Sequence, residues 1–386
     1  MNTAPVAILA AGVVTPIGAD LDAFWTGLVT GTDGISRIER FPVDDLRVGL
    51  GGEIKKLKRE RRGDCRASQL LFAAADDLRA RASLDAPPAR VGVVLGTALG
   101  GVEEGERALA GDRSARRAAA ALYDGPARAL ALRLGACGPV MTVSTACASG
   151  ATALGVAADL LKSDAVDLVV AGGYDILCRF VMRGFDALRS LTRDRVRPFD
   201  RRRSGLLLGE GAALVLMARD RDAGERLGRL LGHASASDGA HIAAPDPEGR
   251  GLEVAIRAAL AEAEVGPSDI DFVSAHGTAT LLNDRVEAAV LRRVLGARAE
   301  RVSVNAIKGA LGHTMGAAAT FEAIMCLLAS REGVVPHTIG LEERDPECAL
   351  DFVTAAPRPL RPRVSLSTSL GFGGCNAALL LEGDAR

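Results

Sequence analysis

Apolar residues gather in short runs that end in glycine, serine or threonine, and the runs recur in the same order in two halves of the chain. The first half opens with Val6 to Val13 and continues through Val91-Gly92-Val93-Val94-Leu95-Gly96-Thr97 and Thr142-Val143-Ser144-Thr145-Ala146-Cys147. It closes with Gly209-Glu210-Gly211-Ala212-Ala213-Leu214-Val215-Leu216. The second half runs from Leu227 to Ala236, through Ile270 to Thr278 and Val302 to Lys308, to Gly373-Gly374-Cys375-Asn376-Ala377-Ala378-Leu379-Leu380. Such runs predict buried strands, and helices rich in Ala and Gly follow the Thr142 and Val302 runs. Two strand-rich halves with helices between and outside their sheets predict a layered α/β protein, divided into residues 1–222 and 223–386. The short charged stretch from Asp220 to Gly228 is the expected linker.

The longest uncharged run, Leu134 to Ala158, has the length of a membrane span. It holds Pro139 and several Gly, Ser and Thr residues, whose freed backbone groups would lack partners in lipid. The run instead predicts a buried strand, a tight elbow and a helix continuing through Leu154, Ala158 and Leu161. No membrane span is expected.

Composition narrows the function. At 386 residues the chain is long enough for a large buried core, which excludes a small binding module. A net charge of −1 and 3% aromatic residues argue against nucleic acid as a partner. Seven cysteines without Cys-x-x-Cys spacing, and no basic apolar leader at the N-terminus, point to a reducing cytoplasm with neither disulfides nor a metal site.

The chemistry centres on Cys147 in Thr145-Ala146-Cys147-Ala148-Ser149-Gly150. A strand ending in a tight turn exposes the sulfur, and a helix starting there aims its N–H groups and positive dipole end at the thiolate, which is expected to lower the thiol pKa. Two histidines stand in glycine turns, His276 in His276-Gly277-Thr278 and His313 in Gly312-His313-Thr314, with Lys308 five residues before the second. One cysteine, two histidines and a lysine suggest thioester chemistry.

In their order and spacing, these residues make the chain resemble the β-ketoacyl-acyl carrier protein synthases, the elongating type I and II condensing enzymes of the thiolase-like superfamily. The resemblance runs from Gly12-Val13-Val14-Thr15-Pro16-Ile17-Gly18 through Ala146 to Gly150, Arg197-Pro198-Phe199-Asp200, His276-Gly277-Thr278, Asn283-Asp284, Lys308 and Gly312-His313 to Gly371-Phe372-Gly373-Gly374. It implies the thiolase-like αβαβα layering, the nucleophilic cysteine in the first half, and both histidines and the gating loop in the second. It implies that Cys147 accepts an acyl group from a carrier-bound thioester and that His276 and His313 stabilise the enolate left by malonyl decarboxylation. Lys308 tunes the imidazoles, with Glu287 as its expected partner, and Asp284 and Glu287 organise the site from one helix face. Thr278 and Thr280 either hold the phosphopantetheine arm or serve an ordinary turn. Phe372 gates the acyl channel, and the flanking Gly371 and Gly373 let its N–H join that of Cys147 in an oxyanion hole. Cys375 is expected to pack as a small apolar residue.

No cofactor is implied, because the phosphopantetheine belongs to the carrier protein. Acyl carrier protein is the implied partner, and Lys55 to Arg62 together with Arg201-Arg202-Arg203 offer a docking surface through Arg61, Arg62 and Arg202; a solvated basic surface is the alternative for the first cluster. A homodimer, or a heterodimer with a ketosynthase-like chain, is expected to pair through the apolar strand Val166 to Ala171. Ala279, Ser204, Ala319-Thr320 and an altered segment from Glu103 to Arg128 depart from the family pattern and favour a specialised enzyme of polyketide or polyene synthesis over housekeeping fatty-acid synthesis. The competing readings are a non-elongating partner subunit, against which Cys147, His276 and His313 argue, and a thiolase acting on coenzyme A esters.

Overall fold

In a computed structural model that describes residues 4–57, 65–112 and 114–384, eleven strands form one sheet. The first half supplies β1 (Val6–Val14), β2 (Val91–Gly96), β3 (Val140–Val143), β4 (Leu168–Asp175) and β5 (Gly211–Arg219). The second supplies β6 (Gly228–Ser237), β7 (Phe272–Ser274), β8 (Ser303–Asn305), β9 (Asp351–Phe352), β10 (Val364–Gly371) and β11 (Cys375–Gly383). The order across the sheet is β9-β8-β7-β10-β11-β6-β1-β5-β4-β2-β3.

The sequence repeat reappears in this topology. Leaving aside the two-residue β9, each half places its strands third, second, fourth, fifth, first. In each, the second strand is parallel to the third and fourth, and the fifth is antiparallel to the fourth and first. The first strands of the two halves join edge to edge through Val6↔Leu230, Ala7↔Arg229 and Ile8↔Gly228.

Helices complete the layers. The elbow helices α2 (Ser149–Lys162) and α6 (Ala318–Glu332) pack on each other and on strands of both halves, as the middle layer. The outer face of the first half is covered by α1 (Arg66–Arg79); that of the second is covered by α4 (Arg250–Ala263), with α5 (Leu281–Leu295) packed beside it. Three buried apolar clusters fill the spaces, one around the middle helices and one beneath each outer layer. Because α6 is enclosed by other layers, Ala318 to Ser330 are all buried. An amphipathic stripe would be wrong for such a helix.

One expectation fails here. The strand containing Val166 to Ala171 cannot pair with a second chain, because β4 lies between β2 and β5 with both edges already hydrogen-bonded. An apolar run marks burial on both faces but does not tell an inner strand from an edge strand. The open edge of the first half is β3, where Val140 and Met141 are exposed. Among the described residues, no helix is long and apolar enough to cross a membrane.

Candidate functional site

Cys147 lies in a single 3-10 turn, Ala146–Ala148, between β3 and α2. Ala146 takes a left-handed φ of 51°, a conformation that costs a residue with a Cβ about 1–2 kcal/mol. The turn is held by Ala148 N–H donating to Thr145 O (3.0 Å), Thr145 N–H to Ser149 Oγ (2.9 Å) and Ser149 Oγ–H to Ala146 O (2.5 Å). Backbone from the second half passes close above it. A Cβ on Gly371 would stand 3.1 Å from Cys147 N and 3.0 Å from Thr145 O, so any larger residue would have to push this backbone back by a few tenths of an ångström. The next N–H, that of Phe372, is aimed at the Cys147 sulfur.

The resting thiol differs from the sequence expectation. Burial pushes Cys147 up to about 12, although the charge on Lys308 and the Phe372 N–H act in the opposite direction. Positive charge and N–H donors do favour the thiolate, as the helix start suggested, but its full desolvation outweighs them. Burial therefore favours the neutral thiol in this site.

Two imidazoles face the thiol from the second half. The rings of His276 and His313 meet edge to face with centroids 5.2 Å apart, and both are buried. Burial, followed by the charge on Lys308, drives both well below the usual imidazole range, so both are neutral. Their hydrogen bonds set the tautomers. His313 Nδ1 accepts from Met315 N–H at 3.3 Å, which leaves the proton on Nε2, a buried atom without a protein partner. His276 Nδ1 lies 3.2 Å from the Lys308 ammonium, a donor that likewise leaves the proton on Nε2; the Leu370 carbonyl accepts from this ring.

Lys308 is buried at 2% exposure, and its Nζ also donates to His276 O (2.5 Å) and Glu322 Oε1 (2.5 Å). Its partner is thus Glu322 of α6, and the expected pairing with Glu287 is corrected. Glu287 is occupied otherwise: it accepts from His276 N–H (2.7 Å), Gly277 N–H (2.9 Å) and the Thr368 hydroxyl (2.6 Å). These contacts fix the backbone of the His276 turn. Asp284, one helical turn before Glu287 on α5, accepts from Phe199 N–H (2.7 Å), Ala279 N–H (3.1 Å) and Asn283 Nδ2 (3.1 Å). Burial raises Asp284 and Glu322 each to about 7.

The sequence pattern missed Glu322. Its signal is visible in retrospect as the single charge in the otherwise uncharged run Ala318 to Ser330.

Cys147, His276 and His313 line one cavity of about 60 Å³ with Thr278, Thr280, Asn283, Gly371 and Phe372 at its walls, while Lys308, Glu322, Glu287 and Asp284 stand behind them. The two threonine hydroxyls stand 3.0 Å apart. Phe372 stacks on Phe185, the pair 5.4 Å apart at 22°, near the end of α3 (Arg179–Ala187). So small a space admits no pantetheine arm while the ring stays there. Gly373 has a φ of 79°, and its N–H donates to Ile242 O at 2.9 Å. A larger cleft of about 820 Å³, around Arg81, Asp167 and Arg219, is lined by paired charges and contains none of these groups.

Family profiles described as Beta-ketoacyl synthase, N-terminal domain, and Beta-ketoacyl synthase, C-terminal domain, match residues 3–223 and 227–342. The chain belongs to the β-ketoacyl synthase family. The synthase is 32% identical to a 3-oxoacyl-[acyl-carrier-protein] synthase 2 of Synechocystis, with 98% of this chain and 97% of the relative aligned. It is 34% identical to the tetracenomycin polyketide synthase ketoacyl synthase alpha subunit of Streptomyces glaucescens, over 97% and 96% of the two chains. A solved structure of the ishigamide ketosynthase/chain length factor superposes with a TM-score of 0.92 at 32% identity, covering 99% of this chain and 100% of that one. A ketosynthase in complex with its chain length factor from Xenorhabdus doucetiae gives 0.86 at 30% identity, over 99% and 98%. The fold is thiolase-like, and the chain is a condensing acyltransferase.

The remaining residues singled out in the sequence fall as follows. Ala279 is buried with a left-handed φ of 66°, which explains why a glycine suits this turn better. Ser204 bonds the Thr192 hydroxyl at 2.7 Å. Cys375 is half-buried and unpaired. Arg202 is engaged by Asp200 and Glu342, and Arg203 is buried against Asp345 and the carbonyls of Asp200, Thr280 and Leu281. Arg61 and Arg62 lie outside the described residues.

Proposed function

We propose that the chain catalyses decarboxylative Claisen condensation between an acyl group on Cys147 and a malonyl group delivered by acyl carrier protein. The observation carrying this reading is the convergence of one thiol and two neutral imidazoles in one buried cavity, with His313 Nε2 unpartnered and the His276 ring proton held only by the Leu370 carbonyl among the described residues.

In the first step the Cys147 sulfur attacks the carrier-bound thioester, and its proton leaves on the pantetheine sulfur. Cys147 N–H and Phe372 N–H are set to hold the tetrahedral oxyanion. His313 then donates Nε2–H to the malonyl thioester oxygen, and His276 joins it once its Nε2–H turns from the Leu370 carbonyl to the substrate. As the carboxylate departs as carbon dioxide, its electron pair forms the enolate, which attacks the acyl-Cys147 carbonyl and releases the thiolate. Both donors act on charge that grows during the reaction, where preorganised donors count most. Phe372 must leave Phe185 to admit the arm, and Thr278 and Thr280 lie where its amides would pass.

No metal or organic cofactor is required by this sequence of steps, and the pantetheine arrives with its carrier. The reading includes a cytoplasmic location and a division near residues 220–228. It also includes a dimer formed through the β3 edge, supported by the exposed Val140 and Met141 and by similarity to ketosynthase/chain length factor structures. The carrier is expected to dock near the Phe185 end of α3, where Arg189 is exposed; Arg202 is held by acidic neighbours.

Supplying malonyl-carrier to the acylated protein tests the proposal against the thiolase reading. Carbon dioxide release with formation of a β-ketoacyl-carrier is expected; condensation of two acetyl-coenzyme A molecules without carbon dioxide release would overturn it.

A further inference from the structure

One buried acid stands outside the steps above. Asp175 ends β4 with no solvent exposure and accepts four hydrogen bonds. Oδ1 takes the Thr97 hydroxyl (2.7 Å) and Leu99 N–H (3.0 Å); Oδ2 takes Ala98 N–H (2.8 Å) and Gly316 N–H (2.6 Å). The first three donors come from the turn after β2 in the first half. The fourth belongs to the turn that follows His313 in the second. Asp175 is therefore a clasp between halves, placed directly behind one of the two imidazoles.

The geometry of that turn gives the clasp a target. Met315 holds a left-handed φ of 50° without being glycine, and its N–H is the donor to His313 Nδ1. Adjacent amides thus point two ways: Met315 N–H to the imidazole and Gly316 N–H to Asp175. Gly316 is wedged tightly, since a Cβ there would lie 2.6 Å from Thr97 Cα and 2.7 Å from Asp175 Oδ2. Gly173 on β4 approaches the same peptide, with its own would-be Cβ 2.2 Å from Gly316 O. Without an acceptor for Gly316 N–H, the strained Met315 peptide would be free to relax, and His313 would lose the donor that keeps its proton on Nε2.

We infer that Asp175 is a positioning residue for the decarboxylation step, fixing the tautomer and orientation of His313 through the Met315–Gly316 turn. The inference rests on the proposed role of His313 as a donor to the malonyl thioester. What the position needs is an acceptor rather than a charge. An asparagine with its amide flipped would keep an oxygen acceptor for Ala98 and Gly316, while its NH2 would face Leu99 N–H and the Thr97 hydroxyl, which already accepts from Leu99 and Gly100.

The test follows Cys147 acylation by intact mass and carbon dioxide release from malonyl-carrier in the wild type, Asp175→Asn, Asp175→Ala, His313→Ala and Asp175→Ala/His313→Ala. Asp175→Ala is expected to lower kcat for carbon dioxide release about 10–100-fold, the range for groups that orient a functional side chain from behind, with KM for malonyl-carrier and acylation retained. Asp175→Asn should restore release, and the double variant should match His313→Ala alone, because the clasp then has nothing to orient. If the alanine variant does not fold, Asp175→Ser, whose hydroxyl is too short to reach Gly316, takes its place. Acylation falling in step with release, Asn behaving like Ala, or effects that multiply in the double variant would each overturn the inference. A wild type that releases no carbon dioxide would instead refute the proposed function itself.

Discussion

Replacing Glu322 with glutamine changes the charge beside Lys308 while keeping shape and one acceptor, so it isolates the role of the buried ion pair. Lys308 is 2% exposed, and apart from Glu322 its Nζ touches only the His276 carbonyl and His276 Nδ1. Leaving one partner of a buried pair uncompensated typically costs about 3–5 kcal/mol. The glutamine keeps one oxygen acceptor for Nζ but not the charge, so the ammonium that holds His276 Nδ1 is less well compensated and its grip on the ring loosens. A displaced His276 donor is worth on the order of 10²–10³ in rate. Two readings check this: urea unfolding should show the loss of stability, and carbon dioxide release should fall while Cys147 acylation persists. Wild-type release and an unchanged urea midpoint would refute the reasoning.

Other expectations follow from neighbouring contacts. Gly371→Ala should slow acylation, because its Cβ would shift the Cys147 and Thr145 backbone by a few tenths of an ångström; an unchanged acylation burst would contradict the close approach. Phe372→Ala removes an aromatic contact of about 0.5–1.5 kcal/mol and should speed acylation by bulky acyl-pantetheine thioesters, read by intact mass against time. The folded pKa of Asp284, about 7, lies above the carboxylate's unfolded value, so the native state holds the extra proton. Stability from this group is full below the unfolded pKa and is lost as pH rises toward 7, and urea titrations from acid to neutral pH should show Asp284→Asn flattening that decline. Charge reversal at Arg189 should weaken acyl transfer from carrier protein and spare transfer from a small thioester; unchanged salt dependence would place docking elsewhere.

The strand positions were legible because a buried parallel strand needs only a short apolar run with a breaker at its end, and those runs stand at β2, β4, β7 and β8; the run at β3 is instead an exposed edge, and β10 was not read from the sequence. The elbow at Cys147 was legible for the same reason, since the small residues around it mark crowded backbone. Three things depended on packing and were not legible. Which strand is the edge is set by the order β4-β2-β3, and the apolar run of β4 looks like an edge candidate only until both neighbours are in place. Lys308 could have paired with Glu287, but the Thr368 hydroxyl and the His276 turn occupy that carboxylate while α6 carries Glu322 to Nζ from the middle layer. The Cys147 thiol was read from its helix start, whereas its burial comes from the Gly371–Phe372 backbone of the other half. Each miss is a contact between elements distant in sequence, within a half for the strand edge and for Lys308 and across the halves for Cys147, that local spacing does not encode.

The proposed chemistry rests on one thiol serving as acyl acceptor in the cavity where the malonyl group is decarboxylated. The most direct test is a single turnover: protein loaded with a defined acyl group, mixed with malonyl-carrier, and followed by peptide and intact-carrier mass spectrometry. The acyl mass should sit on the peptide bearing Cys147 before mixing, then leave it and appear on the carrier as the β-ketoacyl group two carbons longer. An adduct on another residue, or one that stays on Cys147 while the malonyl-carrier is consumed, would contradict that chemistry.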